Sequence, residues 1–225
     1  IIAADQGSSS YRKQIYPEYK QNRKDKFAEQ TEAERAAFER FFEDYQASLD
    51  WIRANTTYPV IQFAQTEADD IAAYITQQTK HYPVDHTWLI SSDKDWDLLV
   101  SESTSRFSYV TRKEITANNW HTHYDFTQES YISIKCLMGD SGDNVLGVEG
   151  IGPKRAQQLV EEWGTALDIV ANLPITSKLK YIKALNDSAD RIMLNYQLMD
   201  LVTYCTDALG ENTKQIDNIL MEYIK

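Results

Sequence analysis

The spacing of hydrophobic positions changes several times along the chain, and each change marks an element. Residues 1–4 form a short apolar run ending in Asp5-Gln6-Gly7, the pattern of a buried strand entering a glycine turn. Residues 16–20, Tyr-Pro-Glu-Tyr-Lys, are extended before Pro17 and should turn helical soon after. From 24 to 55 the period is helical, broken near Gln30-Thr31-Glu32, where Thr31 and Glu34 have the spacing of a capping box. Phe38, Phe41, Phe42, Tyr45, Leu49 and Ile52 then recur at helical spacing and are expected to face the core. The polar piece before them, 23–30, has no apolar face and is expected to project. Residues 58–63 read as a strand, followed by a helix whose inner face is Ile71, Ala72, Tyr74 and Ile75. Residues 87–92 are the clearest buried strand, residues 98–100 a short helix, and residues 106–110 a further strand.

A helix starting near Asp125-Phe126-Thr127 and ending at Asp140 opens a different regime. Residues 153–163 are amphipathic and closed by Gly164, a good residue just past a helix end. Short helices are expected over 166–171, 178–185 and 189–201, separated by Pro174 and Asn186-Asp187, with a last one over 213–224. Strands alternating with helices to about residue 111, then helices alone, indicate an α/β core followed by an all-helical lobe.

Composition adds constraints. With 225 residues, 42% of them hydrophobic, the chain can bury a sizeable core. Its apolar runs are too short to span a membrane, and residues 1–4 have no basic start or long apolar stretch of a secretory leader. Cys136 and Cys205 lie in apolar helical patterns and read as reduced, buried thiols, which suits a cytoplasmic setting. His121 and His123 fall in a polar turn and are expected to be loop residues. A net charge of −11 argues at first against a nucleic-acid partner.

The placement of the acids changes that conclusion. Asp5 ends the first strand; Glu67, Asp69 and Asp70 crowd the head of one helix; Asp93 and Asp95 follow the 87–92 strand; Asp140 and Asp143 are three apart after a helix. Carboxylates beyond strand C-termini lie where open α/β sheets place their ligands. Setting these eight aside leaves 26 acids against 23 bases. Eight gathered carboxylates would repel strongly, and hard divalent cations such as Mg²⁺ or Mn²⁺ are the physical remedy. Asp97 is expected to cap or to support the ligands rather than to be one. Basic clusters complement the acids. Residues 11–26 carry Arg12, Lys13, Lys20, Arg23, Lys24 and Lys26 among Tyr11, Tyr16 and Tyr19, which suits a phosphate track with stacking platforms. Gly150-Ile151-Gly152-Pro153-Lys154-Arg155 is a glycine turn opening a helix, a ready anion site.

Together these motifs closely resemble the bacteriophage flap endonucleases, also called 5′→3′ exonucleases, relatives of the 5′-nuclease domain of bacterial DNA polymerase I. The matching strings are Asp5-Gln6-Gly7, Pro17-Glu18-Tyr19-Lys20-x-Asn22-Arg23, Glu67-Ala68-Asp69-Asp70, Ser92 to Asp97, and Met138-Gly139-Asp140 through Gly152, in family order. The resemblance implies an α/β, PIN-like (Rossmann-like) nuclease core over 1–126 with a helical arch at about 20–55. An all-helical lobe over 127–225 would follow, with a helix–hairpin–helix motif at about 136–163. It implies a first metal at Glu67, Asp69 and Asp70 with Asp5 nearby, and a second at Asp93, Asp95, Asp140 and Asp143. Lys20 and Arg23 would contact the scissile phosphate, and Tyr19 would stack on a substrate base. Lys24, Lys154 and Arg155 join the DNA-binding set with the Gly147, Gly150 and Gly152 hairpin, which holds K⁺ in relatives.

The implied activity is Mg²⁺- or Mn²⁺-dependent cutting of 5′ flaps and 5′-ended duplexes, leaving 5′-phosphate and 3′-hydroxyl ends. The enzyme would be monomeric, acting in the cytoplasm (of the host, for a phage-encoded chain). The rival expectation is a junction-binding module that does not cut. The family pattern also has a further central strand upstream of Asp5, ending in an aspartate of the metal cluster. The sequence here lacks it, so a missing or separately supplied N-terminal piece is expected to complete the sheet.

Overall fold

The structure is a computed structural model that describes residues 1–224. Parallel strand β1 (Ile2–Ala4) pairs with β2 (Val60–Gln62), joined through α1 (Ser10–Ile15), α2 (Gln21–Ala28) and α3 (Glu32–Asn55). Helix α4 (Ala68–Gln78) follows β2, then β3 (Thr87–Ile90), which pairs in parallel with β4 (Thr104–Ser108). Strand β5 (Lys113–Ile115) returns antiparallel to β4. Among the described residues the β1–β2 pair and the β3–β4–β5 sheet share no ladder. Between them lies an apolar groove of about 650 Å³, lined by Ile2, Ala3, Leu89 and Trp96 among others.

The helical part opens with α5 (Gln128–Met138), which runs into a two-residue ladder of β6 (Gly139–Asp140) with β7 (Val145–Leu146). Helices α6 (Pro153–Trp163), α7 (Ala166–Ala171), α8 (Lys180–Asn186) and α9 (Ala189–Met199) pack with α5 around Leu137, Leu159, Ile169, Leu185 and Ile192. Helices α10 (Leu201–Leu209) and α11 (Thr213–Tyr223) do something else. Leu201, Cys205, Leu209, Ile216 and Leu220 bury against Ile61, Ile71, Ala72 and Leu89, so the last two helices complete the core of the α/β part. Physically the chain leaves the α/β body at α5 and returns to it at α10, so the helical lobe expected over 127–225 gives up α10 and α11 to that body.

Four further expectations are corrected. The aromatic stripe of α3 is not core: Phe38, Phe41 and Phe42 are exposed, and only Leu49 of this helix is buried. The Thr31–Glu34 capping box does start α3, but the helix projects, and Phe27 of α2 against Phe38 leaves the phenylalanines of that face exposed. Strand β3 is covered on one side only, with Leu89 buried while Trp88 and Ile90 are exposed. The strand expected at 106–110 starts earlier and is followed by the unforeseen β5. The helix expected over 189–201 is two helices, because Asp200 accepts the N–H groups of Val202 (3.0 Å) and Thr203 (3.2 Å) and starts α10 afresh.

Candidate functional site

The C-terminal ends of β1 and β3, the head of α4 and the turn between β6 and β7 carry all eight acids singled out above. Asp5 Oδ1 accepts the N–H of Ala68 (2.6 Å), tying the end of β1 to the first turn of α4. Glu67 stands just before α4, 3% exposed. Its carboxylate receives Lys20 Nζ (2.7 Å), the Tyr19 hydroxyl (3.0 Å) and the Ser9 N–H (3.3 Å). Burial would raise the Glu67 carboxyl, but Lys20 and Arg12 hold it below its usual range. Asp69 is treated differently. Burial pushes its carboxyl up to about 7; the Trp96 indole N–H at 2.6 Å relieves this in part, while Asp93 and Glu67 add to it.

The second group is more open. Asp93 caps the short 3-10 turn over Lys94–Leu99 by accepting the Asp95 N–H (2.9 Å). Lys135, on α5, bonds Asp95 and lies 3.4 Å from Asp140 Oδ2, bridging the two. Burial raises the Asp95 carboxyl, and Lys135 opposes that rise. Asp140 Oδ1 accepts the Gly142 N–H (2.8 Å), fixing the turn that carries Asp143. Asp143 in turn meets Arg23 (2.5 Å), the Tyr19 hydroxyl (2.9 Å) and Lys20 (3.6 Å). Lys20 thus lies between the two acid groups, in a left-handed conformation (φ 57°), with its N–H on the Asp143 carbonyl (2.9 Å). The two groups are stitched into one rim.

That rim corrects the expectation that only dications could make it tolerable. Arg12, Lys20, Arg23 and Lys135 already compensate Glu67, Asp70, Asp95, Asp140 and Asp143. Among the described residues no three His, Cys, Asp or Glu side chains form a ready-made ion cage. The donor set still fits divalent cations: it is all carboxylate oxygen, the hard-ligand preference of Mg²⁺ and Mn²⁺. Asp69, half-buried beside two other acids and in no ion pair among the described residues, is where added positive charge brings relief.

Asp70 does not fit as a ligand. It is 0% exposed, and both its oxygens are taken by Arg12 (2.6 and 2.7 Å). Arg12 correspondingly leaves the phosphate track it was assigned to. Tyr19 is also corrected: at 3% exposure its ring packs with Val145 and Leu198, and its hydroxyl serves Glu67 and Asp143, so it offers no face for stacking. Asp97 is a buried partner of Arg106 and Tyr124. Lys135 was missed by sequence reasoning, although a lone lysine in the apolar run of α5 is a signal. For Arg12 no local pattern distinguishes it from its exposed neighbours.

Two further surfaces flank the rim. A cavity of about 750 Å³ opens between α2 and α3, with Asp5 and Glu67 on one side, Lys20, Arg23 and Lys24 beside them, and exposed phenylalanines opposite. Phe27, Phe38, Phe42 and Phe41 stand in sequence with ring centroids 5.2, 4.9 and 5.4 Å apart. The other surface is the glycine hairpin. A Cβ on Gly147 would lie 2.0 Å from the Met138 carbonyl oxygen, so this glycine lets β7 cross the end of α5 and needs no ligand to explain it. Gly152 differs: nothing in the protein lies within 4 Å of its missing Cβ, which leaves the N-terminus of α6 open to an outside group. Arg155 is held there by the Gly150 carbonyl (2.6 Å) and lies over the Tyr181 ring (4.6 Å), and Lys154 is exposed beside it.

Residues 1–128 match the model of the 5′-3′ exonuclease N-terminal resolvase-like domain, and residues 126–219 that of the 5′-3′ exonuclease C-terminal SAM fold. The flap endonuclease of Escherichia phage T5 is 44% identical over 211 residues, covering 93% of this chain and 72% of that protein. The DNA polymerase I of Rhizobium leguminosarum is 31% identical over 206 residues, which is 92% of this chain and 19% of the polymerase. A crystal structure of the T5 D15 protein with metal ions superposes with a TM-score of 0.92 at 41% identity, covering 98% of this chain and 84% of the other. A T5 D15 flap endonuclease complex with DNA and metal ions gives 0.90 at 41% identity, covering 97% and 81%.

Proposed function

The chain belongs to the 5′-3′ exonuclease family, a metal-dependent, structure-specific group of 5′ nucleases, and on that premise we propose how its rim cuts DNA. The observation that carries the proposal is the meeting of acids from four places in the chain at one edge, with Lys20 between them. We assign Asp5, Glu67 and Asp69 to a first cation and Asp93, Asp95, Asp140 and Asp143 to a second, with Mg²⁺ as the ion and Mn²⁺ as a substitute. Bound there, such ions would supply Lewis acidity for phosphodiester hydrolysis.

The chain's own groups do the rest. A water oxygen attacks phosphorus in line and gives up a proton to solvent, the P–O3′ bond breaks, and the electron pair leaves with O3′, which takes up a proton from solvent. The products are a 5′-phosphate and a 3′-hydroxyl. Lys20, 2.7 Å from Glu67, is placed to turn onto a phosphate oxygen and to stabilise the charge that develops there. Burial would lower the Lys20 ammonium, but Glu67 and Asp143 keep it charged for that role. Arg23, whose side chain is 59% exposed, contacts the same phosphate from the mouth of the cavity. The open α2–α3 cavity takes the unpaired 5′ strand, Lys24 meeting phosphates and the phenylalanines meeting bases, since every base has a face to stack. The N-terminus of α6, with Gly150, Gly152, Lys154 and Arg155, grips the duplex backbone, with K⁺ as the cation of that hairpin. The apolar groove between β1 and β3 suits one more strand, supplied by an N-terminal piece.

Incubating the protein with a 5′-flap DNA and Mg²⁺ tests the assignment, with Asp93→Asn/Asp95→Asn as the paired control. The expected result is flap release in the native protein and a loss of about a thousandfold or more in the variant. The self-compensated rim also favours a second reading, a module that binds junctions without cutting. That reading predicts normal flap binding in Ca²⁺ and no product with Mg²⁺ or Mn²⁺.

A further inference from the structure

A buried ion pair at the back of the rim has no place in the chemistry above. Arg12 is 2% exposed and Asp70 0%, and the guanidinium spans both carboxylate oxygens. Taking both charges out of water is expensive, and well-packed apolar residues of similar volume commonly stabilise a fold as well or better. Stability alone therefore does not account for the pair.

Its geometry does. Arg12 Nε donates to the Leu198 carbonyl (2.8 Å) at the end of α9, and Nη1 lies 3.5 Å from Glu67 Oε2. One guanidinium thus joins α1, the head of α4 and α9. Ser9 caps α1 through the Arg12 N–H (3.2 Å) and gives its own N–H to Glu67 (3.3 Å), so the start of α1 and the Glu67 carboxylate fix each other. Without the positive charge between them, Glu67 and Asp70 would repel at the head of one helix. Three residues before Leu198, Asn195 donates to the Cys136 carbonyl (2.8 Å) and the Leu146 carbonyl (2.9 Å), reaching the ladder that carries Asp140. The α9 contact therefore runs from the first acid group to the second.

Resting on the reading of the rim as a metal site, we propose that Arg12 and Asp70 are a positioning pair. Asp70 is the counter-ion that holds Arg12, and Arg12 holds Glu67 where it can serve the first cation. Residues that orient a ligand from behind typically change metal affinity or activity by about 10- to 100-fold when removed.

The test replaces the pair by apolar residues of similar size, Arg12→Met/Asp70→Leu, and takes three readouts. These are thermal melting of the metal-free protein, calorimetric titration with Mn²⁺ without DNA, and flap cleavage at saturating Mg²⁺. The proposal expects a melting temperature near that of the native protein and an unchanged number of bound ions. It expects the tighter-bound ion to be held about 10- to 100-fold more weakly, with kcat lowered similarly and KM for the flap nearly unchanged. Loss of one bound ion would make Asp70 a ligand and overturn the proposal. Unchanged affinity and kcat would make the pair ordinary core and overturn it too. Should the apolar variant not fold, Arg12→Lys decides: it keeps the charge but cannot form the two-pronged contact. The same weakening is then expected, and native affinity overturns the proposal. A native protein that neither binds Mn²⁺ nor cuts would instead defeat the nuclease reading, and this proposal with it.

Discussion

The two acid groups of the rim are built on opposite principles. At the head of α4, Glu67 and Asp70 are buried and each has a fixed basic partner, while Asp69 is held by an indole N–H. Across the rim, Asp93, Asp95, Asp140 and Asp143 lie nearer solvent, and Lys135 and Arg23 are the cations that tie them. The first group is preorganised: its geometry is set by packing before any ligand arrives. The second is a turn and a capped strand end whose charges are balanced by the long side chains of Lys135 and Arg23. A cation at either group must displace an ammonium, Lys20 from Glu67 at the first and Lys135 from Asp95 and Asp140 at the second. Lys20 belongs to both, and its removal should show most clearly how far they act together.

Lys20→Ala should therefore have the largest effect of the single substitutions, lowering kcat by about 10²- to 10³-fold with flap binding in Ca²⁺ nearly unchanged. The reverse pattern, weak binding with native kcat, would reduce Lys20 to a docking residue and separate the two groups. Phe41→Ala/Phe42→Ala touches neither group. Both side chains are half or more exposed, so melting should not change, while stacking is worth ~1–3 kcal/mol per base. The expected readout is a higher KM for substrates with an unpaired 5′ strand and an unchanged KM for fully paired ends. Lys135→Met addresses the open group alone. Metal-free protein should melt lower, because Asp95 and Asp140 lose the charge between them. The rise in melting temperature on adding Mg²⁺ should grow severalfold, because no ammonium competes for the site. A smaller rise would mean that Lys135 supports cation binding instead of opposing it.

Much of this arrangement was legible in the sequence, and the reasons for the failures are specific. Asp5, Glu67, Asp69, Asp93, Asp95, Asp140 and Asp143 could be singled out because acids at strand ends and helix heads form a local pattern. The Thr31–Glu34 box and the Gly152-Pro153 start of α6 are local too, and both are present. What failed was everything decided by a distant neighbour. The α3 stripe has the spacing of a core face, but spacing cannot tell whether another element arrives to cover it. Tyr19 and Arg12 sit in a stretch of basic and aromatic residues that reads as surface. Their burial is set by Glu67 and Asp70 at the head of α4 and by Leu198 on α9, far away in sequence. Cys205 was expected to be buried, yet nothing near it says that α10 and α11 return to the first core.

The claim beneath all of this is that the two acid groups hold separate divalent cations side by side. Counting bound Mn²⁺ by electron paramagnetic resonance, in the native protein and in Asp93→Asn/Asp95→Asn, tests it most directly. Two ions per chain in the native protein and one in the variant is the predicted result. Equal counts in the two proteins would contradict the account, because the second group would then hold no ion of its own.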